Sequence, residues 1–179
     1  MASLAQRSDA WIWALVIAAT ASVLGLAVAQ GHRRETQLAA RPAPQVSLPL
    51  LGGGNSAIQQ GKVTMVDFWA TWCGPCRASM PRVQKLWREY QNRGVELYSV
   101  DTDDPSADRD AQVREFLLQN GLGFPVVLDD GRATEAFSVA SLPTLVLLDK
   151  QGHVAWSHVG ALNSAREVEL RSALDRTLR

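Results

Sequence analysis

Residues Lys62–Arg77 read KVTMVDFWATWCGPCR. Their first nine, Lys62–Ala70, are apolar and β-branched, the composition of a central strand buried on both faces. After them Met80, Val83, Leu86, Trp87 and Tyr90 recur at helical spacing between Cys76 and Asn92, and Gly94 offers a stop. Cys73-Gly74-Pro75-Cys76 thus lies between a strand and the start of an amphipathic helix. At that start, unpaired N–H groups and the helix dipole favour negative charge, so the Cys73 thiol ionises more readily. Thiolate is the attacking species in disulfide exchange. Two intervening residues put Cys76 one turn into the helix, where it can reach back to resolve a mixed disulfide. Cys73 reads as nucleophile and Cys76 as resolving thiol.

Outward from this stretch, strand-like and helix-like segments alternate from about Gln45 onward. Val95–Val100 and Pro125–Asp129 read as strands, with a helix near Asp108–Asn120 between them carrying Val113, Phe116 and Leu117 on one face. Arg132–Phe137 reads as a short helix. Thr144–Asp149 and Val154–Val159 flank a turn at Lys150–His153. The last helix opens on Ser164 and Glu167, a capping-box pattern, and carries Leu170, Leu174 and Leu178. Such alternation indicates a three-layer α/β domain.

The chain has 179 residues, 46% hydrophobic and 20% charged, with 18 Lys+Arg against 18 Asp+Glu. These values exclude wholesale disorder, collagen and a multi-span membrane protein, and zero formal charge argues against nucleic-acid binding. Cys73 and Cys76 are the only two cysteines, too few for a disulfide framework or a four-thiolate zinc site. A metal carrier would need further ligands, and His32, His153 and His158 show no ligand spacing to the pair. A purely structural bridge across four residues would constrain little chain entropy. A redox-active pair without metal or cofactor remains the leading reading.

The motifs then carry a resemblance. Val66–Cys76 (VDFWATWCGPC) is similar to the active-site segment of the thioredoxin superfamily. Pro81 matches the proline inside that family's active-site helix, and Ser141-Leu142-Pro143-Thr144 matches its cis-proline loop. The domain most resembles the TlpA/ResA branch of membrane-tethered thiol–disulfide oxidoreductases. That implies a thioredoxin-like fold with a central mixed sheet, an αβ insertion between Asp101 and Asp129, and one preceding membrane helix. It also implies protein substrates bound beside Trp72, Gly74, Pro75 and Leu142, with Pro143 cis. Asp67 matches the buried acid that transfers a proton to the second cysteine; its bland alternative is a strand-end carboxylate, solvated or paired with Lys62. Where many TlpA-like proteins carry a Glu three residues after the second cysteine, this chain has Ser79. Gly-Pro between the cysteines resembles thioredoxin, with a potential near −270 mV against about −120 mV for the oxidant DsbA. A reductase of this kind needs a membrane electron donor of the CcdA/DsbD type, with cytochrome c maturation or metallochaperone cysteines as substrates. The rival enzyme is a peroxiredoxin-like peroxide reductase.

Residues 1–10 read as a short flank, 11–29 as a transmembrane anchor, 30–43 as a linker and 44–179 as the domain. Trp11–Ala29 holds 19 residues without a charge, about 28 Å as a helix and close to a bilayer core of about 30 Å. Ala27-Val28-Ala29 also fits the cleavage pattern of a signal peptide. Arg33, Arg34 and Arg41 after the span would, by the positive-inside rule alone, hold the domain in the cytoplasm. Placement of the catalytic domain in the periplasm, on the bacterial inner membrane, follows from the resemblance.

Overall fold

The computed structural model describes residues 13–17, 19–20 and 43–179. Most of the expected span 11–29 lies outside the described residues; 13–17 and 19–20 are helical, and among the described residues no helix is long and apolar enough to cross a membrane. The chain divides into two units, Met1–Ala40 and Arg41–Arg179. In the second, Ala43 is already buried and its amide meets the Gly152 carbonyl, so packing begins one residue before the expected boundary.

The elements are β1 (Ser47–Pro49), β2 (Asn55–Ala57), β3 (Val63–Trp69), α1 (Gly74–Tyr90), β4 (Val95–Asp101), α2 (Arg109–Gln119), β5 (Val126–Leu128), α3 (Arg132–Ala136), β6 (Thr144–Leu148), β7 (Val154–Val159) and α4 (Ser164–Thr177). Five strands form one sheet in the order β5-β4-β3-β6-β7. β3, β4 and β5 run parallel, whereas β6 and β7 are antiparallel to their neighbours, giving the expected mixed sheet. β3 is its middle strand and every residue is buried, Thr64 and Asp67 included, as expected of a mostly apolar strand covered on both faces.

The crossovers β3–α1–β4 and β4–α2–β5 step the same way across the sheet. With the usual right hand, both helices must then fall on one face. There Met80, Val83 and Leu86 of α1 and Val113 and Phe116 of α2 join Leu170 and Leu174 of α4 in one core cluster. The opposite face is covered differently: by the β1–β2 hairpin, through Leu48 and Ile58, and by short α3, through Ala133. The chain before β3 is thus a two-stranded hairpin. Its turn runs through Gly52, Gly53 and Gly54, all at positive φ, a conformation other residues seldom adopt. β2 itself, Asn-Ser-Ala, carries no β-branched residue and gave no strand signal. The Tyr98 hydroxyl holds the hairpin down, 3.0 Å from the Ser56 carbonyl oxygen and 3.2 Å from that of Val46.

Two helix ends refine the expectations. α1 passes into a 3-10 turn, Gln91–Arg93, closed by Gly94 at φ 90°. α4 is capped by Asn163, not Ser164: Asn163 is extended, and its side-chain oxygen takes the Arg166 N–H at 3.0 Å.

Candidate active site

β3 ends at Trp69, and four residues later Cys73 becomes the N-cap of α1. The Cys73 amide donates to the Ala70 carbonyl (3.1 Å), and its sulfur accepts the Cys76 amide (3.2 Å). Pro75 lies in the first turn, where its missing N–H costs nothing. Cys73 and Cys76 are joined as a disulfide, with Cα atoms 5.2 Å apart. The two sulfurs differ in access. Cys73 lines an open groove of about 630 Å³, whereas Cys76 is fully buried and does not reach it.

Trp72, Gly74, Pro75 and Leu142 line the same groove, so five of the eight expected site residues meet there. Trp72 is 71% exposed and stands at the rim rather than in the core. Trp69 is core: its indole N–H donates to Ser99 Oγ at 2.8 Å and its ring stacks on Phe116. The Leu142–Pro143 bond is cis. Pro143 itself is buried beside the groove, its carbonyl taken by the Gly160 amide at 2.8 Å.

Asp67 does not line the groove. It sits in the middle of β3, paired with Leu145 of β6, and only 3% exposed. Strand alternation puts it between Met65 and Trp69, on the face packed by the cluster that contains Cys76. Its Oδ2 has no hydrogen-bond partner, and no ion pair joins it to Lys62. Burial pushes its carboxyl up to about 7, so it can both give and take a proton near neutral pH. Ser79 stands where the resemblance implies a Glu. Its hydroxyl is spent on the helix, 2.9 Å from the Pro75 carbonyl oxygen.

One part of the surroundings had no reading in the sequence. Asp101 at the end of β4 and Asp103 just after it form a buried network with Arg109. Arg109 Nε donates to Asp101 Oδ2 (2.7 Å), Nη2 to the Asp101 carbonyl (2.7 Å) and Nη1 to that of Asp129 (2.6 Å). Burial, helped by the Asp103 charge and opposed by Arg109, pushes the Asp101 carboxyl up to about 6. Asp103 in turn accepts the Thr71 amide. The Arg77 guanidinium, next to Cys76 in sequence, reaches the Thr71 carbonyl (3.4 Å) and lies over the Phe116 ring. No group of three or more His, Cys, Asp or Glu among the described residues is placed to hold a metal.

A mixed sheet, a disulfide at the start of the helix after its central strand, one sulfur open to a groove and a cis-proline beside it define a thioredoxin-like thiol–disulfide oxidoreductase. Known proteins agree. The AhpC/TSA family model matches residues 39–157, and the chain belongs to that family. It is 38% identical to the thioredoxin-like protein YneN of Bacillus subtilis over 74% of this chain and 78% of that one. It is 31% identical to the thiol-disulfide oxidoreductase ResA of Bacillus thuringiensis over 82% and 85%. Among solved structures, one described as a thiol:disulfide interchange protein DsbE from Chlorobium tepidum superposes with a TM-score of 0.69 at 30% identity, covering 77% of this chain and 96% of that one. StoA from Bacillus subtilis gives 0.61 at 26%, covering 75% and 98%. The protein is a thiol–disulfide oxidoreductase of the ResA/DsbE type.

Proposed function

We propose that this protein is a membrane-tethered, periplasm-facing reductase of protein disulfides, with Cys73 as nucleophile, Cys76 as resolving thiol and Asp67 as the group that moves the proton of Cys76. The observation that carries the assignment is the unequal access of the two sulfurs: only Cys73 lines the groove. In the dithiol form, the Cys73 thiolate attacks one sulfur of a substrate disulfide. The S–S bond breaks, the second substrate sulfur leaves as a thiolate and is protonated, and a mixed disulfide joins Cys73 to the substrate. Cys76 then gives its proton to the Asp67 carboxylate and attacks Cys73 Sγ. The first substrate sulfur leaves, and the Cys73–Cys76 disulfide remains. Two electrons have passed to the substrate, and a membrane dithiol donor of the CcdA/DsbD type would restore them.

The tether rests on the uncharged stretch 11–29. On its described helical piece Trp13, Leu15 and Ile17 are each about two-thirds exposed, at 65%, 67% and 65%. Such an apolar surface is costly in water and suits lipid. The groove favours an extended polypeptide as substrate, with Trp72 offering an apolar rim and Leu142 a neighbouring backbone. Cysteines of cytochrome c maturation or of metallochaperones are substrates of fitting chemistry.

Trapping tests the assignment. Reduced Cys76→Ser mixed with a disulfide-bearing protein should accumulate a covalent adduct at Cys73, while Cys73→Ser should form none. An adduct on Cys76 in the latter variant would reverse the roles. Rapid oxidation of the native dithiol by hydrogen peroxide, with no turnover of protein disulfides, would favour the peroxide reductase.

A further inference from the structure

We propose that Asp103, held by Asp101 and Arg109, is a positioning residue for Cys73: its carboxylate fixes the backbone at Thr71 and thereby sets Cys73 as the N-cap of α1. The inference rests on the thiol–disulfide reading above, extending its machinery to an element outside the active-site motif.

The segment Ala70–Cys73 has no strand or helix of its own, yet it and the Trp69 carbonyl before it are held by a series of hydrogen bonds. The Trp69 carbonyl takes the Thr102 amide (2.8 Å) and hydroxyl (3.0 Å). The Thr71 amide donates to both Asp103 oxygens, at 3.1 and 3.3 Å. The Thr71 carbonyl takes Arg77, and that of Ala70 takes the Cys73 amide. Two of these anchors, Thr102 and Asp103, come from the short loop after β4. That loop cannot float, because the Asp103 amide donates to Asp101 Oδ1 (3.3 Å) and Arg109 clamps Asp101 by side chain and carbonyl while also holding the Asp129 carbonyl. Arg109 and Asp103 are 5% and 6% exposed, so each lost bond would leave a buried polar group unpaired. The network thus ties the ends of β4 and β5 to the peptide two residues before the reactive sulfur. A displacement of a fraction of an ångström there would move Cys73 off the helix axis and away from the α1 amides that favour its thiolate.

Comparing two neutral variants isolates the acceptor from the charge. In the reduced full chain, iodoacetamide alkylation of Cys73 at near-neutral pH should be about fivefold or more slower in Asp103→Ala than in Asp103→Asn, whose amide oxygen still takes the Thr71 N–H. Rates within about twofold of each other would overturn the proposal. The native protein gives a second test that needs no variant to fold. By hydrogen exchange, the Thr71 amide should be protected to the same degree as amides of β3; exchange at the rate of an open loop would overturn the proposal. Neither readout requires a disulfide substrate, so a native protein that fails to turn one over would defeat the functional reading and leave this one standing on its own results.

Discussion

Replacing Asp67 with Asn should remove a pH dependence that one buried carboxyl imposes on the whole domain. In the unfolded chain this group titrates near the ordinary 3.8, whereas in the fold burial pushes it up to about 7. Between those values the folded protein holds a proton that the unfolded chain has released. Stability therefore falls as pH rises through this window. One pKa unit corresponds to about 1.4 kcal/mol, so the full difference is about 4 kcal/mol. Between pH 5 and pH 8 the loss is about 2–3 kcal/mol, since at pH 5 the unfolded carboxyl is already ionised and the folded one is not. Asn is nearly isosteric and does not titrate. Urea unfolding of the oxidised protein, with the disulfide intact so that no thiol titrates, gives the comparison directly. Native stability should drop by about 2–3 kcal/mol more than that of Asp67→Asn over this range, and the variant should be the more stable of the two at pH 8. The contribution of Asp101 is common to both proteins and cancels. Parallel pH profiles would refute the reasoning, because they would mean that Asp67 is solvated or paired in the fold.

Resolution of a mixed disulfide should be slower in Asp67→Asn by about 10² or more near neutral pH if this carboxylate takes the Cys76 proton, read by stopped-flow mixing. Trp72→Ala should change unfolding free energy by less than about 0.5 kcal/mol, because the ring is exposed, while raising KM for a protein disulfide. Arg109→Met should cost about 3–5 kcal/mol in urea unfolding, since it leaves the buried Asp101 carboxyl and the Asp101 and Asp129 carbonyls without their donor. Asn163→Ala should cost about 1 kcal/mol through the lost cap of α4. In intact cells, a membrane-impermeant maleimide should label Cys73 of the reduced protein; protection until lysis would place the domain in the cytoplasm, as the flanking arginines alone would have it.

The readable parts of this protein were those where one physical rule acts alone. A short, mostly apolar, β-branched run before a turn signals a strand covered on both faces, and β3 is that strand. A cysteine pair at a strand-to-helix junction has few chemical uses, and Cys73, Gly74 and Pro75 all reach the groove. Asp67 was legible as an anomaly, a charge in a strand with no room for water. What escaped depended on pairing over distance. Asn55–Ala57 is a strand only because Ser47–Pro49 lies beside it, and no local propensity announces that. Asp101 ends a strand and Arg109 begins a helix, with a loop between them, so no single periodicity relates the two and nothing local announces their buried pairing. The α4 cap slipped by one residue because Asn163 and Ser164 are both good caps and backbone geometry alone chooses between them.

The potential of the Cys73–Cys76 couple tests the central claim most directly. It is measured by equilibrating the full chain with defined thiol–disulfide buffers and quantifying the dithiol fraction. A reductase of protein disulfides requires a value near −270 mV, well below that of the compartment it works in. A value near −120 mV would contradict the account, because the same groove and the same two sulfurs would then be driving disulfides into their substrates.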